Sequence, residues 1–168
     1  VFVGLLFKIA AAPFHSWAPD VYQGSPAGIV GFMAAVAKIG AIVAILRLVQ
    51  VPFADLLETY QLPIAAVAAV SVAVGTLYAI VQSDLRRVLA YSGVAHAGFL
   101  LTAVATGVAG EVQLLFYLAT YVVTLVAAFG IVALVEGPGS AGSPLDGYRG
   151  LSRRSPGLAA ASAAATVR

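Results

Sequence analysis

The sequence contains no cysteine, which excludes disulfides, cysteine-ligated iron–sulfur clusters and c-type haem attachment within it. Histidine is almost as scarce. His15 and His96 both sit inside apolar stretches and give little basis for a zinc site. Charge is the third shortage: Asp, Glu, Lys and Arg make up 10% of residues, against about 25% in soluble domains. The net charge of +2 is too small to point to nucleic acid. No charged leader or cleavage site is visible ahead of the apolar start. Walker motifs, nucleophile–base patterns and carboxylate pairs are missing too.

Apolar residues fill the space left. They account for 61% of the chain, mean hydropathy is +1.00, and four long runs are nearly free of charge. This composition predicts an all-α fold, a polytopic transmembrane helical bundle in a lipid bilayer. About five membrane helices are expected, plus a truncated sixth, in a single membrane domain over 1–168. Both ends read as interruptions, so a fragment of a longer polytopic protein is the expectation.

Segment one runs from Val1 to about Gln23 and carries Lys8 in its apolar part. Pro13 and Pro19 follow, and proline removes a backbone donor and clashes with the preceding turn. The helix is therefore expected to break at Pro13/Pro19. Segment two, about Ala27 to Val49, is long enough to cross a bilayer and holds Lys38 as its only central charge. Segment three, Leu62 to Gln82, is uncharged. The turn Ser83 to Arg87 leads to segment four, about Val88 to Gly107, whose one ionisable residue is His96. Segment five, Val112 to Val135, is again uncharged. A Gly/Pro/Ser-rich loop occupies 137–156, and Gly157 onward reads as the start of another helix.

Basic residues set the orientation. Arg86 and Arg87 lie in one connection and Arg149, Arg153 and Arg154 in the 137–156 loop, while the connections 50–61 and 108–111 hold no Lys or Arg. The basic loops 83–87 and 137–156 are thus expected in the cytoplasm, and the segments alternate without contradiction. At 1.5 Å per residue, Lys8, Lys38 and His96 then lie roughly 15–22 Å deep, near the middle of a core about 30 Å thick.

A lysine at a helix centre costs about 2.5–3.5 kcal/mol on insertion scales. It either snorkels, anchors packing or serves a function, and from Lys38 an interface is more than two turns away. His96 alone reads equally as a hydrogen-bonded core histidine or as a relay. Ser92, His96, Thr102 and Thr106 share one face of segment four. Gln113, Tyr117, Thr120, Tyr121 and Thr124 share one face of segment five. Such stripes are either interhelical glue or the wall of a wet path. His15 can cap or line an entrance, Asp20 reads as interfacial, and Arg86 and Arg87 read as positive-inside residues or as part of a pore mouth. The string Gly137 to Gly142 spells G-x-G-x-x-G, but it follows a membrane helix rather than a strand and reads as a linker.

The stretch Phe7-Lys8, Pro13-Phe14-His15-Ser16-Trp17-Ala18-Pro19-Asp20-Val21-Tyr22-Gln23-Gly24-Ser25-Pro26 resembles the antiporter-like subunits of bacterial respiratory complex I, proton-translocating NADH:quinone oxidoreductase, and among them subunit N. Ala37-Lys38-Ile39, the run Arg87 to Gly98 containing Tyr91-Ser92 and His96, and Tyr148-Arg149-Gly150-Leu151 extend the resemblance over about residues 1 to 158. It implies a fold of inverted repeats with broken helices, of which this chain would supply helices seven to eleven and the start of the twelfth. It also implies a proton relay through Lys8, Lys38 and His96. His15, Arg86, Arg87, Tyr91 and Ser92 would form a secondary path or entrance. The chain would be a translocase subunit with no redox centre of its own. NADH, flavin, iron–sulfur clusters and quinone would belong to the parent complex, and the partners would be its other membrane subunits in the bacterial inner membrane. Arg86 stands where many relatives carry lysine, and arginine keeps its proton at physiological pH. Two alternatives stay open: a multisubunit cation/proton antiporter and a non-functional fragment.

Overall fold

A computed structural model describes residues 1–136 and 143–160. The loop residues 137–142, with the G-x-G-x-x-G string, and the tail 161–168 lie outside the described residues. The helices are α1 (Phe2–Lys8), α2 (Trp17–Gly24), α3 (Ala27–Gln50), α4 (Leu57–Ile80), α5 (Leu85–Ala105), α6 (Glu111–Glu136) and the short α7 (Leu151–Arg154). Four of them, α3 to α6, are long and apolar enough to cross a membrane. Together with the broken pair α1/α2 they make an all-α polytopic bundle, as the apolar runs predict.

The break in segment one occupies residues 9–16 and contains Pro13. Ala10 takes a positive φ of 59°, which stops the α-helical ladder. Pro19 lies beyond the break, in the first turn of α2, where its missing N–H deprives the helix of nothing. The freed backbone groups find other partners. Phe7 O accepts from Ala10 N at 3.0 Å and from Trp17 Nε1 at 3.0 Å. Ala12 N donates to Ser71 Oγ of α4 at 2.9 Å, and Ser71 Oγ donates to Val67 O at 2.7 Å. Buried Ser71 thus caps a gap in a different helix.

Two boundaries differ from the sequence expectation by three residues or more. α4 starts at Leu57, five residues before the expected Leu62, and continues through Pro63. Near a membrane surface, water can replace the single hydrogen bond that Pro63 cannot make. α5 starts at Leu85 rather than Val88, because Asp84 is its N-cap and accepts from Arg86 N at 2.9 Å and Arg87 N at 3.2 Å. Arg86 and Arg87 therefore stand on the helix, not in a turn.

α5 is the central element, packed against α2, α3, α4 and α6. Its approach to α4 is close enough that a Cβ on Gly98 would lie 2.7 Å from Ala68 O, so any side chain there would push the helices apart. Two apolar clusters fill the interior. One gathers Ile42, Ile45, Leu46, Leu100, Leu101, Val104, Leu114 and Leu118. The other gathers Val30, Ala34, Ala90, Val94, Leu125, Phe129 and Val132. The outer faces of α4 and α6 remain apolar, with Leu62, Val70, Leu77, Phe116, Val123 and Leu134 exposed. Polar contacts gather at the two ends. Gln50 Nε2 donates to Glu111 Oε2 at 2.7 Å at one end, and Arg86 joins residues 23, 25 and 136 at the other. That grouping gives the spans an up-and-down alternation.

Candidate functional site: a buried lysine beside a hydroxyl-lined cleft

Lys38 is the twelfth of 24 residues in α3. Ala34 before it belongs to one apolar cluster and Ala41 after it to the other. The same division falls near His96 on α5, between Val94 and Ala97, and near Tyr121 on α6, after Leu118. A polar layer therefore separates two apolar plugs, and three helices each contribute one side chain to it.

Lys38 is 3% exposed. Its ammonium donates to Gly93 O at 2.7 Å and to the Tyr121 hydroxyl at 2.8 Å, and stands 4.9 Å from the Tyr121 ring centroid. A backbone carbonyl, a phenol oxygen and a ring face are the partners that lower the cost of a buried cation. Gly93 makes the approach possible, since a Cβ there would sit 2.8 Å from Lys38 Nζ.

His96 packs against the Tyr121 ring with centroids 4.5 Å apart, and its Nδ1 lies 2.6 Å from the Tyr117 hydroxyl. Beside it α5 and α6 diverge to leave a cleft of about 320 Å³. Ser92 and His96 form one polar wall, and Tyr117, Thr120, Tyr121 and Thr124 form the other. These residues come from the two stripes legible in the sequence. Thr102, Thr106 and Gln113, the remaining members, are exposed away from the cleft. Thr102 and Thr106 return their hydroxyls to Phe99 O at 2.6 Å and Ala103 O at 2.7 Å.

The other candidate residues are distributed around this layer. Lys8 ends α1 and is exposed on the bundle surface. Its charge suits the negative end of that half-helix. Among the described residues no hydrogen bond or ion pair joins Lys8 to Lys38. His15 lies in the break, with its ring centroid 6.3 Å from that of Tyr91 and its buried Nδ1 unpaired among the described residues. Tyr91 also stacks on Tyr78 at 5.5 Å.

Arg86 is 2% exposed. Its guanidinium makes a bidentate pair with the Glu136 carboxylate and donates to Gln23 O at 3.0 Å and Ser25 O at 2.8 Å. It ties the end of α2 to α5 and α6. Arg87 pairs with Asp20 at 2.6 Å and donates to Gln23 Oε1 at 3.1 Å and Gln82 Oε1 at 2.9 Å. The Asp84 carboxylate that caps α5 also accepts from Ser143 N, at 2.6 Å. Below it, the Ser143 and Tyr148 hydroxyls lie 2.6 Å apart, where burial raises the Tyr148 phenol above its ordinary pKa.

Glu136, Ser71 and Gly93 were not singled out from the sequence. A lone acid closing an uncharged 24-residue run, opposite an arginine-bearing turn, was the available signal for Glu136. The single serine in the interior of a charge-free segment was the signal for Ser71.

Residues 1–167 match a protein-family model described as NADH:quinone oxidoreductase/Mrp antiporter, TM. Among curated relatives, NADH-quinone oxidoreductase subunit N of Parafrankia sp. is 49% identical over 158 residues, covering 94% of this chain and 30% of that protein. The subunit N of Mycobacterium tuberculosis is 50% identical over 159 residues, covering 92% of this chain and 30% of that protein. The chain thus spans about a third of the length of these relatives. Among solved structures, a chain of respiratory complex I from Thermus thermophilus with bound aureothin superposes with a TM-score of 0.76 at 42% identity, covering 98% of this chain and 35% of that one. A chain of the membrane-bound sulfane sulfur reductase, an archaeal respiratory membrane complex, shares the fold with a TM-score of 0.81 at 23% identity, over 98% of this chain and 34% of its own. The matched region, the broken first helix and the four spans that follow it place this chain in the NADH:quinone oxidoreductase/Mrp antiporter transmembrane family.

Proposed function

We propose that the chain forms part of the membrane arm of a proton-translocating NADH:quinone oxidoreductase and that Lys38 and His96 carry protons within it, with Lys8 serving a neighbouring step. One observation carries this reading: a buried ammonium, hydrogen-bonded to a phenol at the level where two apolar clusters meet, adjoins an imidazole and a cleft carrying five hydroxyl side chains. Apolar plugs block an uncontrolled leak, and titratable groups at the layer between them let a proton be held and passed. Movement follows from electrostatics, because a charge change at one site alters the proton affinity of the next. The chemistry of NADH oxidation and quinone reduction belongs to other parts of the complex. The chain's partners are the neighbouring membrane subunits, and its location is the bacterial inner membrane with residues 83–87 and 143–156 facing the cytoplasm.

Lys38→Ala in the full-length subunit of the assembled complex tests this. The ratio of protons pumped to electrons transferred is expected to fall, and an unchanged ratio would remove Lys38 from the path. A second reading, a cation/proton antiporter subunit without redox coupling, draws support from the family description, which covers both. The genes beside the full reading frame distinguish the two, since oxidoreductase subunits flank one and antiporter subunits the other.

A further inference from the structure

Lys38 does not line the α5–α6 cleft, yet its hydrogen-bond partner does. Tyr121 is the residue common to both: its hydroxyl accepts from Lys38 Nζ at 2.8 Å, and its side chain forms part of the cleft wall. Tyr117, one turn earlier on α6, bonds His96 Nδ1 at 2.6 Å instead. The two phenols therefore have separate duties, one toward the lysine and one toward the histidine. The other polar partner of Lys38, Gly93 O, is a carbonyl and cannot relay a proton. Packing alone does not account for a tyrosine at 121, because a phenylalanine would fill the same space between Val94 and Leu125 and leave Lys38 a ring face but no hydroxyl.

We infer that the Tyr121 hydroxyl is the group through which Lys38 exchanges its proton with the cleft. The step is a paired transfer. An N–H bond of the Lys38 ammonium breaks as an O–H bond forms on Tyr121, and the original Tyr121 O–H proton passes to a water molecule in the cleft. Lys38 is left neutral, Tyr121 ends as it began, and the water carries the charge toward His96 or out of the cleft. The reverse sequence reloads the lysine. Because the phenol gains one proton as it loses another, no free phenolate has to be formed in an apolar setting. Tyr121 is in this sense a relay gate, and the orientation of one O–H bond decides whether Lys38 is connected to the cleft.

The inference rests on the proton-path reading of Lys38, and one set of variants separates the two. In the full-length subunit of the assembled complex, reconstituted in vesicles, Tyr121→Phe keeps the ring and removes the hydroxyl. Proton pumping is expected to fall by about a hundredfold or more, at the modest end of what losing a proton-transferring group costs. Tyr117→Phe, measured in parallel, is expected to lower pumping less. Fluorotyrosines incorporated at 121 keep the hydroxyl and grade its acidity, and the pumping rate is expected to vary with that acidity, together with a solvent deuterium effect that Tyr121→Phe abolishes. A rate indifferent to phenol acidity overturns the inference, even if Tyr121→Phe fails to assemble. If Lys38→Ala abolishes pumping while Tyr121→Phe pumps normally, the lysine stays in the path and the phenol leaves it. If Lys38→Ala is itself without effect, both fall together.

Discussion

Lys38 owes its position to what is absent from Gly93. With hydrogen at that position, the ammonium reaches a carbonyl and a phenol at once. Gly93→Ala places a methyl 2.8 Å from Nζ and 3.3 Å from the Tyr121 hydroxyl, and is expected to impair pumping in the assembled complex while quinone reduction continues. Proton uptake into vesicles per NADH oxidised measures it, and normal coupling would show that this geometry is dispensable. At the end of the bundle where α2 stops and α5 starts, the buried pair Arg86–Glu136 behaves differently. Arg86→Ala takes the bidentate partner from a carboxylate that is 7% exposed, at a cost of about 3–5 kcal/mol. The double substitution Arg86→Met with Glu136→Leu is expected to recover most of that loss, as judged by thermal unfolding of the subunit in lipid nanodiscs. That Lys38 and His96 share one level of the bundle was within reach of the sequence because helix rise is fixed. Their partners were not, since rotation of one uncharged helix against another leaves little trace in periodicity. Tyr121 was visible as a member of a polar face, but only packing shows that it, rather than Tyr117, meets the lysine.

Proline marks where a helix stops less sharply than it marks where one can resume. Pro13 lies in the break, while Pro19 begins the recovery in α2 and Pro63 is carried inside α4. Sequence alone treats the three alike, because the difference is where each falls relative to a helix start: Pro19 lies in the first turn of α2 and Pro63 near the start of α4, whereas Pro13 lies between two helices. Within the break, Ser71 accepts from the Ala12 N–H. Ser71→Ala is expected to leave Ala12 N–H without its acceptor, at about 1–3 kcal/mol. Amide exchange in residues 10–14 should accelerate while that of α5 stays slow, and equal protection in both proteins would show that Ser71 is not what holds the gap. The early start of α5 was within reach of the sequence: Asp84 followed by an apolar-periodic run is a capping signal, masked by the arginine pair that reads as a loop.

At the scale of the whole molecule, two apolar clusters enclose a polar layer and the faces of α4 and α6 stay apolar toward their surroundings. The fold class followed directly from composition, because runs this apolar have no other stable form in a bilayer than hydrogen-bonded helices. The lack of cysteine makes the orientation testable with single thiols. With other thiols of the full-length subunit removed, Ser152→Cys is expected to react with an impermeant reagent only from the cytoplasmic side and Asp55→Cys only from the opposite side. Labelling of both from one side would contradict the alternation.

Arg86 also has a bearing on how the protein is made. Its carbonyl partners at 23 and 25 are synthesised before it, but Glu136 follows it by 50 residues, roughly 3–10 s at a synthesis rate of 5–20 residues per second. During that delay the guanidinium has the end of α2 to bond but not its carboxylate. A ribosome-stalled chain ending shortly before Glu136 should therefore hold α2 and α5 together loosely, and release of the last turn of α6 should be the event that locks the bundle in the membrane.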